Sequence, residues 1–214
     1  MKSVLIIGLG RFGRHMAKKL IEQGDSVLAV DICEERADNA VNIIDSIQIG
    51  NAADEGFIET LGVENFDLCV VAIGDNFQTA LEITVLLKDF GAQYILARAS
   101  REVHKKLLLR NGADHVVYAE KEMAERLAVR YGANNLFDYI ELTEDVGIFE
   151  IGVPESWIGK TIVEKSVRNR YNVSILATKT DGRIYPLPSP DHTFVRNETL
   201  LLLAESRAIK GLIK

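Results

Sequence analysis

The chain is poor in several things, and each shortage removes a class of function. It has only two cysteines, Cys33 and Cys69, each alone inside an apolar stretch. Both read as buried, reduced thiols in preference to a disulfide or a metal site. It has no basic surplus: 25 Lys and Arg stand against 31 Asp and Glu, a net charge of −6. A nucleic-acid binder needs that surplus to neutralise phosphates, so none is expected as a partner. No apolar run approaches the roughly 20 residues of a membrane-spanning helix, and Met1-Lys2 leads directly into a strand pattern with no room for a signal peptide. The expectation is a soluble, cytoplasmic chain. Proline and tryptophan are also scarce and unevenly placed: all four prolines and the single tryptophan, Trp157, lie beyond residue 150.

Catalytic groups are missing in the same sense. A dehydrogenase places a proton donor or acceptor, typically His, Lys, Tyr or Cys, against its substrate. The four histidines here are His15 in a helix pattern, His104 beside Lys105 and Lys106, His115 at a strand start and His192 in a proline-rich loop. None is paired with a nucleophile or spaced for a metal.

What is present is a strand–turn–helix opening, Ser3-Val-Leu-Ile-Ile-Gly-Leu-Gly-Arg-Phe-Gly13. In that context G-x-G-x-x-G marks a nucleotide site. Gly8 permits a tight turn, Gly10 lets the backbone approach a pyrophosphate, and Gly13 lets the helix pack close to the strand. The helix start adds free N–H groups and the positive end of its dipole. Asp31 ends the next strand, 18 positions past Gly13. Two roles fit it, a hydrogen-bond acceptor for an adenosine ribose and a cap for the following helix. Ile32 and Cys33 come next instead of an arginine, so a 2′-phosphate is not expected. Arg11, inside the glycine loop, either points to solvent or reaches along the phosphates. A guanidinium in the second role suits a ligand ending in free phosphates, ADP or ATP, better than one continuing into a nicotinamide ribose.

Strand and helix signals then alternate. Strands are expected at Val4–Gly8, Ser26–Asp31, Ile47–Gly50, Asp67–Ala72, Tyr94–Ala97 and His115–Tyr118. Helices fill the intervals, the first ending at Gly24 and others near Glu34–Asn42, Glu55–Leu61, Asn76–Phe90, Arg101–Arg110 and Glu120–Tyr131. Continuous apolar strands such as Leu68-Cys-Val-Val-Ala72 are what a parallel sheet covered on both faces requires. The pattern predicts a doubly wound α/β sheet. Ligands bind such sheets beyond the carboxyl ends of the strands. That placement adds Asn51 and Ala52 after the third strand, Ala72, Ile73 and Gly74 after the fourth, and Arg98 after the fifth. After Gly132-Ala-Asn-Asn135 the strands shorten: Gly147–Val153, Ser174–Thr178, Arg183–Tyr185 and Thr199–Ala204. Helix signals lie at Thr161–Arg170 and Arg207–Ile213, and Asp181-Gly182 is a hairpin turn. The division expected is residues 1–135 and 136–214, the second a small α+β lobe. A unit that small often leans on a partner copy.

Five segments, Gly8-Leu-Gly-Arg-Phe-Gly13, Ala29-Val-Asp31, Gly50-Asn-Ala52, Val71-Ala-Ile-Gly74 and Asn111-Gly-Ala-Asp114, together resemble the RCK (KTN) proteins, the cytoplasmic regulators of potassium channels and transporters. Trp157-Ile-Gly-Lys-Thr161 and the Asp181-Gly182 hairpin resemble their C-terminal (TrkA-C) lobe. The nearest likeness is to Ktr/Trk-type regulatory subunits of potassium uptake, with Ala53 standing where relatives often have Thr. The resemblance implies a Rossmann-type TrkA-N lobe. It also implies a homodimer assembling into an octameric ring that docks on a membrane-embedded, potassium-translocating subunit at the inner face of the membrane. ATP and ADP would switch the ring, and NAD(H) binds some members. It gives Phe12 and the glycines to the nucleotide, Arg11 to the ATP phosphates, and Glu120 to a divalent cation, Mg or Ca, at a dimer interface. On the residues alone, Glu120 is a first-turn acid stabilised by the helix dipole. In some members the C-terminal lobe binds cyclic di-AMP, here near Val167-Arg168 to Asn172 with Ile175 and Pro188. The function expected is thus a non-enzymatic nucleotide sensor. The alternatives are an NAD-dependent oxidoreductase and an RCK-type regulator of another channel or transporter.

Overall fold

The computed structural model describes residues 1–132, 135–143, 145–209 and 211–212. They fall into two units, Met1–Glu120 and Lys121–Lys214.

The first unit alternates β1 (Ser3–Ile7), α1 (Arg11–Glu22), β2 (Ser26–Asp31), α2 (Glu34–Asp38), β3 (Ser46–Ile49), α3 (Glu55–Leu61), β4 (Leu68–Val71), α4 (Phe77–Asp89), β5 (Ile95–Arg98), α5 (Glu102–Arg110) and β6 (His115–Val117). The six strands form one parallel sheet in the order β3-β2-β1-β4-β5-β6. This is the doubly wound architecture expected. The continuous apolar strands have the reason anticipated, since alternate residues of β1 enter different cores. Leu5 and Ile7 pack with Ile58 of α3 and Ile83 and Leu87 of α4. Val4 and Ile6 pack with Ala17 of α1 and with Ile44. Because β1 sends one connection to β2 and receives β4 on its other side, the strand order reverses between β1 and β4. A crevice opens there at the carboxyl ends.

Local signals set the element ends. Helix α1 stops where Gly24 takes φ +88° and its N–H bonds the Ile21 carbonyl at 2.9 Å. The side chains of Asp54 and Asn76 cap α3 and α4, accepting the N–H groups of Phe57 (2.9 Å) and Thr79 (3.2 Å). Helix α2 is shorter than expected: regular helix ends at Asp38 and turns carry the chain onward.

Helix α6 (Ala119–Gly132) begins in the first unit and continues in the second. The boundary thus falls in the first turn of α6, before the composition change at residues 132–135, of which Ala133 and Asn134 lie outside the described residues. Next come β7 (Leu136–Glu141), β8 (Val146–Gly152), α7 (Ile162–Lys165), α8 (Val167–Tyr171), β9 (Val173–Thr180), β10 (Arg183–Pro186), β11 (Glu198–Glu205) and α9 (Ser206–Ile209). The five strands form an antiparallel sheet ordered β10-β9-β11-β8-β7. Strands β8 and β11 alternate buried and half-buried residues, so one face carries the core of Trp157, Phe194, Phe149, Leu200 and Leu202. Asp181 and Gly182 both take positive φ (51° and 78°), as a two-residue hairpin turn requires.

The second unit departs from the expected elements at two helices and one strand. The single helix over Thr161–Arg170 is two short ones, broken where Ser166 adopts φ 48°. Strand β7 adds to the strands expected in this lobe. The helix expected over Arg207–Ile213 is described as Ser206–Ile209, and Lys210 and Ile213 lie outside the described residues.

Candidate functional site

The crevice beside β1 and β4 holds two adjoining cavities, of about 530 and 740 Å³. Gly8, Arg36, Ile73 and Asp75 line both, so they are lobes of one cleft. The smaller lobe takes in Asp31, Asn51 and Ala52, and the larger one Gly10, Arg11, Phe12, Ala72, Gly74 and Arg98. Of the residues singled out for ligand binding, Gly13 alone lines neither lobe. Its part is structural, because a Cβ there would run into the Gly8 carbonyl oxygen. At Gly8 the backbone takes φ +104°, its N–H bonds the Val30 carbonyl at 2.7 Å, and a Cβ would meet Ile73 at 3.1 Å. A Cβ on Gly10 would meet nothing within 4 Å, leaving open the space above that peptide.

Asp31 has a role that its sequence position does not suggest. It is 4% exposed, and its Oδ2 accepts the Leu9 N–H at 2.6 Å while Oδ1 accepts the Cys33 N–H at 2.9 Å. The carboxylate ties the glycine loop to the end of β2. Each oxygen retains a lone pair for a further donor. Asn51 likewise uses its carbonyl locally, accepting the Ala53 N–H at 3.1 Å, which leaves its amide N–H groups for a ligand.

The larger lobe is cationic. Arg11, Arg14, Arg36 and Arg98 line it against two carboxylates, Asp75 and Glu120. Arg11 is the first residue of α1, whose cap, Gly10, makes no side-chain hydrogen bond and whose first turn has no acid. The positive end of that helix is uncompensated and borders this lobe. Sequence reasoning missed Arg36. No arginine adjoins Asp31 along the chain, but α2 brings Arg36 Nη1 to 3.9 Å from Asp31 Oδ2. The available signal was the helix pattern starting three residues after Asp31, which turns the chain back over the cleft.

Arg98 pairs with Glu120, in the first turn of α6. The Glu120 carboxyl lies below its usual range, held there first by its own backbone N–H. Arg98 and the charge of Arg11 add to this against a partial-burial penalty. No cluster of three His, Cys, Asp or Glu side chains suited to a metal occurs among the described residues of one copy. None of the four histidines lines the cleft. His104 stacks on Phe77 with ring centroids 3.9 Å apart, and His192 pairs with Glu198 at 2.8 Å. In the second unit, Val167, Arg168, Ile175 and Pro188 line a pocket of about 240 Å³, where the cyclic di-AMP expectation fell, while Asn172 lies outside its lining.

The cleft's order, glycine loop, buried strand-end carboxylate and arginine-rich far lobe, coincides with a family match. The TrkA-N domain matches residues 4–119 and the TrkA-C domain residues 146–214. The chain belongs to the TrkA-N/TrkA-C potassium-uptake family. Ktr system potassium uptake protein C of Bacillus subtilis (strain 168) is 35% identical over 202 residues, covering 94% of this chain and 91% of the relative. Ktr system potassium uptake protein A of the same organism is 34% identical over 209 residues, covering 98% and 94%. Among solved structures, the GsuK channel bound to NAD shares the fold, with a TM-score of 0.73 at 21% identity. The match covers 100% of this chain and 39% of that longer chain. Between the two TrkA matches lie β7 and the part of α6 beyond Ala119, and no helix among the described residues is long and apolar enough to cross a membrane.

Proposed function

We propose that this TrkA-N/TrkA-C chain is a cytoplasmic, non-enzymatic, nucleotide-sensing subunit that regulates a membrane potassium uptake system. The observation that carries this is the larger lobe: four arginines against two carboxylates at the end of the cleft. Such a surplus fits the terminal phosphates of ATP or ADP. The cleft lining includes no His, Lys, Tyr or Cys among the described residues, which favours a sensor over the alternative of an NAD-dependent oxidoreductase. The NAD-bound GsuK neighbour supports NAD(H) as a further ligand of the same cleft. The adenosine belongs in the smaller lobe, with Asp31 toward the ribose and Asn51 toward the base. ATP makes contacts through Arg11 that ADP lacks, and only such a difference can shift the protein between states.

A second copy of the chain belongs to this reading. Helix α6 exposes Met123, Leu127 and Tyr131 at helical spacing, 52%, 41% and 76% accessible, an apolar stripe of the kind that interfaces cover. We assign it to the homodimer, with dimers assembling into the octameric ring that docks on the membrane-embedded potassium-translocating partner. Mass measured by light scattering tests this, and a monomer would refute it. A divalent cation, Mg or Ca, belongs in this reading at the dimer interface, where Glu120 and bound phosphates would supply oxygens to it. The small pocket at Arg168 is the proposed place for cyclic di-AMP. The runner-up client is another ion channel or transporter.

Calorimetry with Arg11→Ala tests the central point. A charge-assisted contact to the terminal phosphate predicts that the substitution weakens ATP about ten-fold or more and ADP or NADH markedly less. Equal losses for all three ligands would remove Arg11 from the discriminating role.

A further inference from the structure

Arg98 sits where three loops of the cleft converge. Its guanidinium carbon lies 5.8 Å from the centroid of the Phe12 ring in the glycine loop. Its Nη2 donates to Glu120 at the start of α6. It runs so close to the loop after β4 that a Cβ on Gly74 would come within 2.6 Å of Nη1. Its Nε is buried and has no hydrogen-bond partner among the described residues. The arginine is thus only half satisfied, with one nitrogen committed to Glu120 and another shielded from water without an acceptor. Both Arg98 and Glu120 line the phosphate lobe, and the side chain of Glu120 is 58% exposed against 23% for Arg98.

A polyphosphate in this lobe changes the balance of that pair in two ways. Phosphate oxygens are acceptors for the same guanidinium, and bidentate arginine–phosphate contacts are stronger than a single contact to one carboxylate oxygen. Where no cation bridges the two, the added negative charge also repels the Glu120 carboxylate. Glu120 is the partner with room to leave, and it is part of the first turn of α6, a helix whose remaining residues belong to the second unit.

We propose that the Arg98–Glu120 pair is a latch that the phosphates of a bound nucleotide displace, so that filling the phosphate lobe is reported to the first turn of α6. This rests on the nucleotide reading above and adds the means by which occupancy reaches the rest of the chain. The latch opposes the ligand it senses, because any free energy that holds Glu120 on Arg98 is subtracted from nucleotide binding.

The test uses the full chain in buffer containing a chelator, so that no cation bridges Glu120 to phosphate. Glu120→Gln keeps the side-chain shape and removes the competing charge. It should tighten ADP about five-fold relative to wild type, measured by calorimetry. Hydrogen exchange supplies the second readout, at the amides of residues 123–126, which bond the first-turn carbonyls of α6. In wild type, saturating ADP should speed exchange there severalfold; in Glu120→Gln, exchange should already be fast and ADP should add nothing. The exchanged pair Arg98→Glu with Glu120→Arg should restore slow exchange while losing nucleotide affinity, showing that the protection comes from the ion pair. If wild type binds ADP but Glu120→Gln binds it no more tightly, and ADP leaves α6 exchange unchanged, the latch is wrong and the nucleotide reading stands. If wild type binds none of ATP, ADP and NADH, the nucleotide reading itself fails.

Discussion

The two units of this chain handle charge in opposite ways. In the first, four arginines gather in one lobe of a cleft against two carboxylates, and one of those arginines carries a buried nitrogen with no acceptor among the described residues. In the second, several charges beside the sheet answer one another. Lys179 reaches Glu150 at 3.0 Å, and Thr199 Oγ donates to the same carboxylate at 2.8 Å. The buried Glu198 pairs with His192, and Arg126 with Asp138 at 3.1 Å. Satisfied pairs of this kind hold an antiparallel sheet whose second face is only partly covered. An unbalanced cluster adds nothing to a fold, since like charges repel and buried donors without acceptors cost stability. The imbalance in the first unit therefore points outward, to a ligand that brings negative charge. The second unit reads as scaffold by the same criterion, apart from its small pocket at Arg168.

The sole tryptophan makes this comparison measurable. Trp157 is 1% exposed in the core of the second unit, so its fluorescence follows that unit, while far-UV dichroism follows both. The largest effect is expected from Gly13→Ala. The added methyl meets backbone, the Gly8 carbonyl, and nothing flexible can give way. The first unit should lose about 3 kcal/mol or more, in the range of severe core and backbone substitutions. The first dichroism transition in urea should move down while the Trp157 transition stays in place. If the two transitions move together, the units unfold as one and the division between them is only geometric.

Glu198→Ala is the converse experiment in the second unit. It removes a carboxylate that is 2% exposed and leaves His192 without its partner. Loss of a buried, charge-assisted hydrogen bond predicts destabilisation of about 2 kcal/mol, seen as a lower Trp157 midpoint. Nucleotide affinity should not change, because the cleft is lined wholly by the first unit. A weaker nucleotide in this variant would mean that the second unit shapes the cleft, and the contrast between ligand site and scaffold would fail.

The same division explains which features the amino-acid sequence makes legible. The doubly wound sheet is legible because both its faces are buried, which writes continuous apolar runs such as Leu5-Ile-Ile7 into the chain. The glycine loop is legible because the turn at Gly8 and the close approach at Gly13 admit few other residues. Strand β7 is not, since Phe137 and Ile140 are both about half exposed and no clean alternation marks a face. The break at Ser166 is hidden because a serine at φ 48° carries no turn signature of the kind glycine gives. The bond from Leu9 to Asp31 spans 22 residues, a separation that local pattern cannot report. Arg98 is found from its position after a strand end, and Arg11 from its place inside the glycine loop. Arg36 escapes because adjacency in sequence is a poor substitute for adjacency in space.

Arg36 supplies the mildest and sharpest test of the contrast. It is half exposed, 3.9 Å from a carboxylate already engaged by two backbone N–H groups, so its loss removes little from the fold. Stability in Arg36→Ala should stay within about 0.5 kcal/mol of wild type. Binding should respond instead. Arg36 borders both lobes, where adenosine and phosphates would join, so it contributes charge that every adenine nucleotide uses. ADP and ATP should weaken together, by about five-fold each, in calorimetry at low salt, and the loss should shrink as salt screens the site. A loss confined to ATP would place Arg36 at the terminal phosphate and take from Arg11 its separate role. A loss of stability without a loss of affinity would make Arg36 one more satisfied charge of the kind that fills the second unit.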